Sequence, residues 1–213
     1  MSVVCPTVLA QNPHDFRQQL ERVSHFAERI QIDVADGRFA SNKTVELKHL
    51  WWPENLLVDL HMMYLDPARE LDRLLKLKPH LVIVHAEAEG NFAAMATTLR
   101  DAGIKVGVAL LQKTSAESVK PVLDLVDHVL IFAGTLGHFG GHPDMRMLEK
   151  ARAIRQWNPA LEIGWDGGVS DLNIADIAAA GVDVFNVGGY IQHAADPSHA
   201  YAILNSLALG TQT

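Results

Sequence analysis

Polar side chains close the apolar stretches of this chain at a few places, and their types suit proton transfer and metal binding. Asp33 ends Ile30 to Val34 in step with Gln31 and is followed by Asp36-Gly37. Asp59 and His61 end the stretch from Leu56, and His85 and Glu87 end the one from Leu81. Asp166-Gly167-Gly168 and Gly188-Gly189 close the last two. A carboxylate at the end of a buried strand is costly unless it is paired, hydrogen-bonded or metal-bound. Asp33, His61 and Asp166 together offer ligands for one divalent cation; taken singly, each would only cap the following helix or loop. The paired glycines Gly140-Gly141, Gly167-Gly168 and Gly188-Gly189 let backbone amides approach an anion closely, and a helix N-terminus behind them adds favourable partial charge. They point to a phosphate, with ordinary tight turns as the alternative.

Eight short apolar runs read as the strands that must position these groups: Val3 to Leu9, Ile30 to Val34, Leu56 to Leu60, Leu81 to His85, Ile104 to Leu110, Val129 to Ala133, Leu161 to Asp166 and Val182 to Val187. They are near-continuous rather than alternating, as strands covered on both faces should be. Amphipathic segments lie between them at about Pro13 to Ala27, from Pro67, and at Phe92 to Ala102, Ser115 to Leu125, Met145 to Trp157, Leu172 to Ala180 and Ala195 to Leu207; Val45 to Trp52 is the weakest helix. Strand–helix alternation implies a parallel sheet with right-handed crossovers. Eight units close as an α/β barrel, the (β/α)8 TIM barrel, with an open doubly wound sheet as the alternative. In such a barrel the site lies at the C-terminal strand ends, where the polar residues stand.

The chain of 213 residues suits one domain, residues 1–213, with 48% hydrophobic and 20% charged residues. A net charge of −7 offers no basic field for nucleic acid. The one cysteine, Cys5, sits in an apolar run and reads as a buried structural thiol. No leader pattern opens the chain and no apolar run is long enough to span a membrane, so a cytoplasmic protein without a membrane partner is expected.

The segments Cys5–Leu9, Gln31–Phe39 with Asn42 after it, Asp59–Met63 with Pro67 after it, Gly140-Gly141, Asp166–Gly168 and Asp183–Gly189 together resemble the ribulose-phosphate 3-epimerase family along nearly the whole chain. The resemblance implies inversion of C3 of a ketose phosphate, ribulose 5-phosphate to xylulose 5-phosphate or a close analogue, through a metal-stabilised enediolate. It implies Asp33 and Asp166 as the acid/base pair and as metal ligands, His61 as a third ligand, and one divalent ion (Zn, Mn, Fe or Mg). It also implies a small phosphorylated sugar as partner and a homo-oligomer. Thr7, Met63, His85 and His138 would contact the sugar, and Gly140, Gly141, Gly167, Gly168, Gly188 and Gly189 the phosphate.

The departures fall where the sugar should lie. Gln31 replaces a ligand histidine, and its neutral amide suits a harder ion such as manganese or magnesium better than zinc. Thr7 replaces a serine, Ala35 a methionine, Gly137-His138 a Pro-Gly pair, His142 a glutamine and Gly189 a serine. An epimerase, an isomerase on another phosphosugar with His138 or His142 on the new group, and a non-catalytic phosphosugar-binding homologue all remain open. An enediolate lyase is disfavoured because it would place a lysine where His61 stands. His85 either touches the sugar or hydrogen-bonds behind it, and Lys113 either reaches a phosphate or stays solvated. Trp165 should point away from the lumen because it adjoins Asp166.

Overall fold

The computed structural model describes residues 2–210. Eight parallel strands pair in sequence order, with the last returning to the first, and close a barrel. The strands are β1 (Val3–Val8), β2 (Arg29–Ala35), β3 (Leu57–Met63), β4 (Leu81–His85), β5 (Lys105–Leu110), β6 (His128–Phe132), β7 (Glu162–Asp166) and β8 (Val184–Val187). The helices are α1 (Pro13–Val23), α2 (Leu71–Leu77), α3 (Phe92–Asp101), α4 (Leu148–Trp157), α5 (Ile174–Ala179), α6 (Gly189–Gln192) and α7 (Pro197–Ala208). No helix among the described residues is long and apolar enough to cross a membrane.

The residues of β2 are all buried, because one side of each strand fills the lumen and the other meets the helices. Those two sides form separate cores. Leu81, Ile83, Ala109 and Leu130 fill the lumen beneath β4 to β6, while a much larger cluster, Phe16, Leu20, Val34, Met62, Leu99, Ile154 and Trp165 among its members, lies between strands and helices. Trp165 is fully buried there and its indole N–H donates to Gly167 O at 3.0 Å, as the alternation along β7 requires. Local signals set the helix starts. Pro13 occupies the first turn of α1, and the Asn12 side chain accepts from His14 N and Asp15 N at 3.0 Å each.

Three expectations need correction. Residues Ser115 to Leu125 form a 3-10 segment, Ala116–Leu125, with Pro121 inside, because proline lacks the N–H that an α-helix needs. Val45 to Trp52 holds only the turn Leu47–His49. Strand β3 runs on to Met63, so Asp59 lies near the base of the barrel rather than at its mouth. There Asp59 accepts from Arg29 Nε at 2.7 Å and meets His80 Nδ1 at 2.9 Å.

Candidate active site

The ends of β2, β3 and β7 bring Asp33, His61 and Asp166 together. Asp33 and His61 are register partners on neighbouring strands, so both side chains leave the sheet on the same side. Asp166 ends β7, in register with Phe132 and Asn186. All three are buried, and their ligand atoms lie within 4.8 Å of one another. His61 Nδ1 is 2.9 Å from Asp33 Oδ1 and 3.8 Å from Asp166 Oδ2. Gln31 sits between the carboxylates: its Nε2 donates to Asp33 Oδ1 at 2.9 Å and to Asp166 Oδ2 at 2.5 Å.

Burial dominates the proton affinities here. It pushes the Asp33 carboxyl up to about 7, against the lowering effect of the Gln31 hydrogen bond. It does the same for Asp166, also to about 7, with the Asp33 charge adding to the rise. Burial likewise pushes His61 down to about 4, so its ring is neutral near pH 7 and can offer a lone pair. Two carboxyls poised near neutrality can share one proton between them, which is what an acid and a base acting in turn require.

A cation fits the donor set. Two carboxylates and a neutral imidazole converge, and Gln31 Oε1 is buried with no hydrogen-bond partner. A half-turn of the Gln31 amide would exchange its donor end for that unpartnered oxygen, since the two ends are nearly the same in shape. Gln31 stands where the family resemblance implies a ligand histidine; here its nitrogen faces the carboxylates and its oxygen does not.

Thr7, Asp33, Met63, Asp166, Gly140, Gly167, Gly168, Gly188, Gly189 and His138 all line one cavity at the mouth. The Thr7 hydroxyl is buried there without a partner. His138 is exposed at the rim, and Gly141 and His142 lie outside the lining. The His85 side chain is buried behind His61, with the two Nε2 atoms 2.9 Å apart. Lys113 is exposed. Phe39 and Leu136 pack on the cluster of Ala35, Ala40 and Met63, filling the space that the small Ala35 leaves.

The glycines serve packing as well as any ligand. A Cβ on Gly188 would stand 2.3 Å from Phe139, and one on Gly167, at φ +115°, 2.1 Å from Gly134 N. These contacts seat the loop after β6 on the turns after β7 and β8. Asn42 ties the loop after β2 to the same loop by donating to Gly137 O at 2.5 Å.

A profile of the ribulose-phosphate 3 epimerase family matches residues 3–192. The chain belongs to that family. Ribulose-phosphate 3-epimerase of Helicobacter pylori (strain ATCC 700392 / 26695) is 32% identical over 196 residues, covering 88% of this chain and 89% of the relative. Ribulose-phosphate 3-epimerase of Mycobacterium tuberculosis (strain ATCC 25618 / H37Rv) is 30% identical over 215 residues, covering 97% and 93%. The fold is also shared with solved barrels of lower identity. KGPDC from Streptococcus mutans superposes with a TM-score of 0.77 at 12% identity, covering 100% of this chain and 99% of that one. A 3-hexulose-6-phosphate synthase gives 0.74 at 19%, covering 96% and 99%. The family is one of isomerases, and none of Asp33, His61 and Asp166 caps a helix among the described residues.

At the mouth, Asn186 is a polar lumen residue that the sequence reading does not single out. Asn186 on β8 is buried in register with Asp166, and both its amide atoms lack partners. Its signal is an amide inside the otherwise apolar run Val182 to Val187.

Proposed function

We propose that this chain inverts C3 of a ketopentose 5-phosphate, interconverting ribulose 5-phosphate and xylulose 5-phosphate, with Asp33 and Asp166 as the proton-transfer pair. The observation that carries the reading is that these two buried carboxyls, from β2 and β7, share a cavity, share the Gln31 amide and both titrate near 7. The C3–H bond is acidic only because the C2 carbonyl beside it takes up the electron pair. One aspartate removes that proton, and the other, in its acid form, delivers a proton to the opposite face of C3. The roles exchange when the reaction runs backwards.

Asp33, His61 and Asp166 would hold one divalent ion, with Gln31 Oε1 as a fourth donor after its amide turns. Such an ion would stabilise negative charge on the enediolate oxygens. The oxygen-rich donor set favours manganese or magnesium over zinc. Thr7, with its unpartnered hydroxyl, suits a substrate oxygen, and Met63 supplies an apolar wall beside the reacting carbon. The turns after β7 and β8 and the end of the β6 loop suit the phosphate, with His138 at the rim.

Incubation with ribulose 5-phosphate in deuterated water tests the reading. Deuterium should enter C3, and Asp33→Asn or Asp166→Asn should each cut that exchange by a factor on the order of 10² to 10⁴. Exchange that survives both changes would remove the assigned pair. Sugar phosphate bound tightly by a protein that exchanges no label would favour a non-catalytic binding protein.

A further inference from the structure

Helices α1 and α6 meet beside the mouth, where Gln18, Gln19, Arg22, Phe139, Gln192 and His193 line a cleft of about 310 Å³. Phe139 also lines the mouth cavity. A Cβ on Gly189 would stand 3.7 Å from Phe139 and 3.6 Å from His193, so one ring and one turn separate the two spaces.

Two of the lining side chains hold a polar atom that is buried without a hydrogen-bond partner, Arg22 Nε and Gln192 Oε1. Such atoms are uncommon in folded proteins, because each gives up its hydration with no bond in exchange. Their roles are fixed. A guanidinium only donates. The Gln192 amide cannot turn end for end: its Nε2 donates to Thr7 O at 3.1 Å and to Gln19 O at 3.4 Å, and an oxygen in that place would meet two others. Gln192 Oε1 is therefore an acceptor, in a residue only 6% exposed. Arg22 Nη2 donates to Ala194 O at 2.9 Å, which ties the last turn of α1 to the chain just past α6. No carboxylate among the described residues pairs with the Arg22 charge.

The cleft thus offers a cationic donor and a neutral acceptor. A neutral hydroxyl would meet both hydrogen bonds but leave the guanidinium charge unpaired. A ligand that answers all three must carry negative charge and an O–H together. Hydrogen phosphate does, since both of its forms near neutral pH keep a P–OH beside anionic oxygens. Sulfate carries the charge without the proton. We propose that this cleft is a second oxyanion site, separate from the phosphate turns at the mouth, in which a hydrogen phosphate ion accepts from Arg22 Nε–H and donates its P–OH to Gln192 Oε1. Both atoms are shut from water, so the ion reaches them once the exposed His193 ring swings aside. The site goes beyond the proposed reaction and does not depend on it.

Side-chain spectra of the full chain labelled with nitrogen-15, recorded as inorganic phosphate is added, read the site directly. The Arg22 Nε–H and Gln192 Nε2 signals should shift together and saturate. Sulfate at the same ionic strength should bind more weakly by about tenfold or more, the effect of one hydrogen bond lost at a charged group. Arg22→Gln should abolish the Gln192 response, while the backbone N–H signals of Gly167 and Gly168 at the mouth respond as in the wild type. Arg22 and Gln192 signals that stay still under phosphate would overturn the proposal, and that spectrum needs no variant to fold. Sulfate binding equal to that of phosphate would overturn it by removing the role of the P–OH. An Arg22→Gln protein that melts normally and keeps the Gln192 response would overturn it too. A wild type in which the cleft responds and the mouth glycines do not would support this site while removing phosphate from the turns of the proposed function.

Discussion

At the base of the barrel, Arg29 donates to Asp59 and, through two nitrogens, to Glu162, whereas at the mouth Asp33 and Asp166 are bridged by the neutral amide of Gln31. Each end holds two acidic side chains and histidine: His80 and His128 below, His61 above. The protonation that results is opposite. Burial alone would push the Glu162 carboxyl up, but the hydrogen bonds from Arg29 and His128 more than reverse this and hold it well below the usual carboxylate range. At the mouth nothing reverses it, and both carboxyls rise to about 7. No arginine or lysine among the described residues pairs with Asp33 or Asp166. The base is closed by a cation of its own, Arg29, while the mouth carboxyls have no such partner, and the proposed function gives them a divalent ion. Fixed pairing serves stability, and the poised pair is the one to which the proposed function assigns proton transfer.

The two ends should therefore answer the same kind of substitution differently. Asp33→Asn or Asp166→Asn should cost on the order of 10² to 10⁴ in C3 exchange, with thermal stability unchanged or raised, because a buried charge without a cation is removed. Arg29→Ala strands Asp59 and Glu162 in the interior and should lose about 3–5 kcal/mol in urea unfolding, while exchange per folded molecule persists. Equal effects of the two changes on stability would erase the distinction. Gln31→His should raise zinc affinity roughly tenfold or more, read by competition with a chelator; no change would show that residue 31 does not face the ion.

The smallest effect is in the pH dependence of the metal-free protein. Between about pH 4 and pH 7 the folded mouth keeps protons that the unfolded aspartates have released, so their contribution to stability falls as pH rises through that window, while the buried neutral His61 and His85 act oppositely up to the ordinary histidine range. Glu162 acts oppositely: its stabilisation is present above the ordinary glutamate range and is lost as pH falls below it. Urea unfolding with a chelator should show the wild type losing stability toward pH 7 relative to the Asp33→Asn, Asp166→Asn double variant, and added Mn2+ should narrow that loss. A metal-free wild type whose stability rises relative to that double variant across the window would contradict the raised carboxyls.

The mouth was legible in the sequence because closing polar residues mark the top of a buried strand. Asp33, His61 and Asp166 are each preceded by apolar residues, and a barrel must gather them. The base was not legible. Arg29 and Glu162 begin their strands and read there as ordinary flanking residues; only closure of the barrel sets β2 across from β7. Asp59 reads as a mouth residue in the sequence because the apolar run ends near Leu60, yet His61, Met62 and Met63 continue strand β3. Every second residue of β3 faces the lumen, so Asp59 and His61 share a side but lie at different depths and serve different clusters.

Titration of the metal-stripped protein with Mn2+, followed by electron paramagnetic resonance, tests most directly whether the mouth takes up a metal cation where the base relies on Arg29. One ion per chain should be taken up by the wild type and by Arg29→Lys, and none by the Asp33→Asn, Asp166→Asn double variant. A wild type that leaves all its Mn2+ free, or a double variant that binds as well as the wild type, would contradict it.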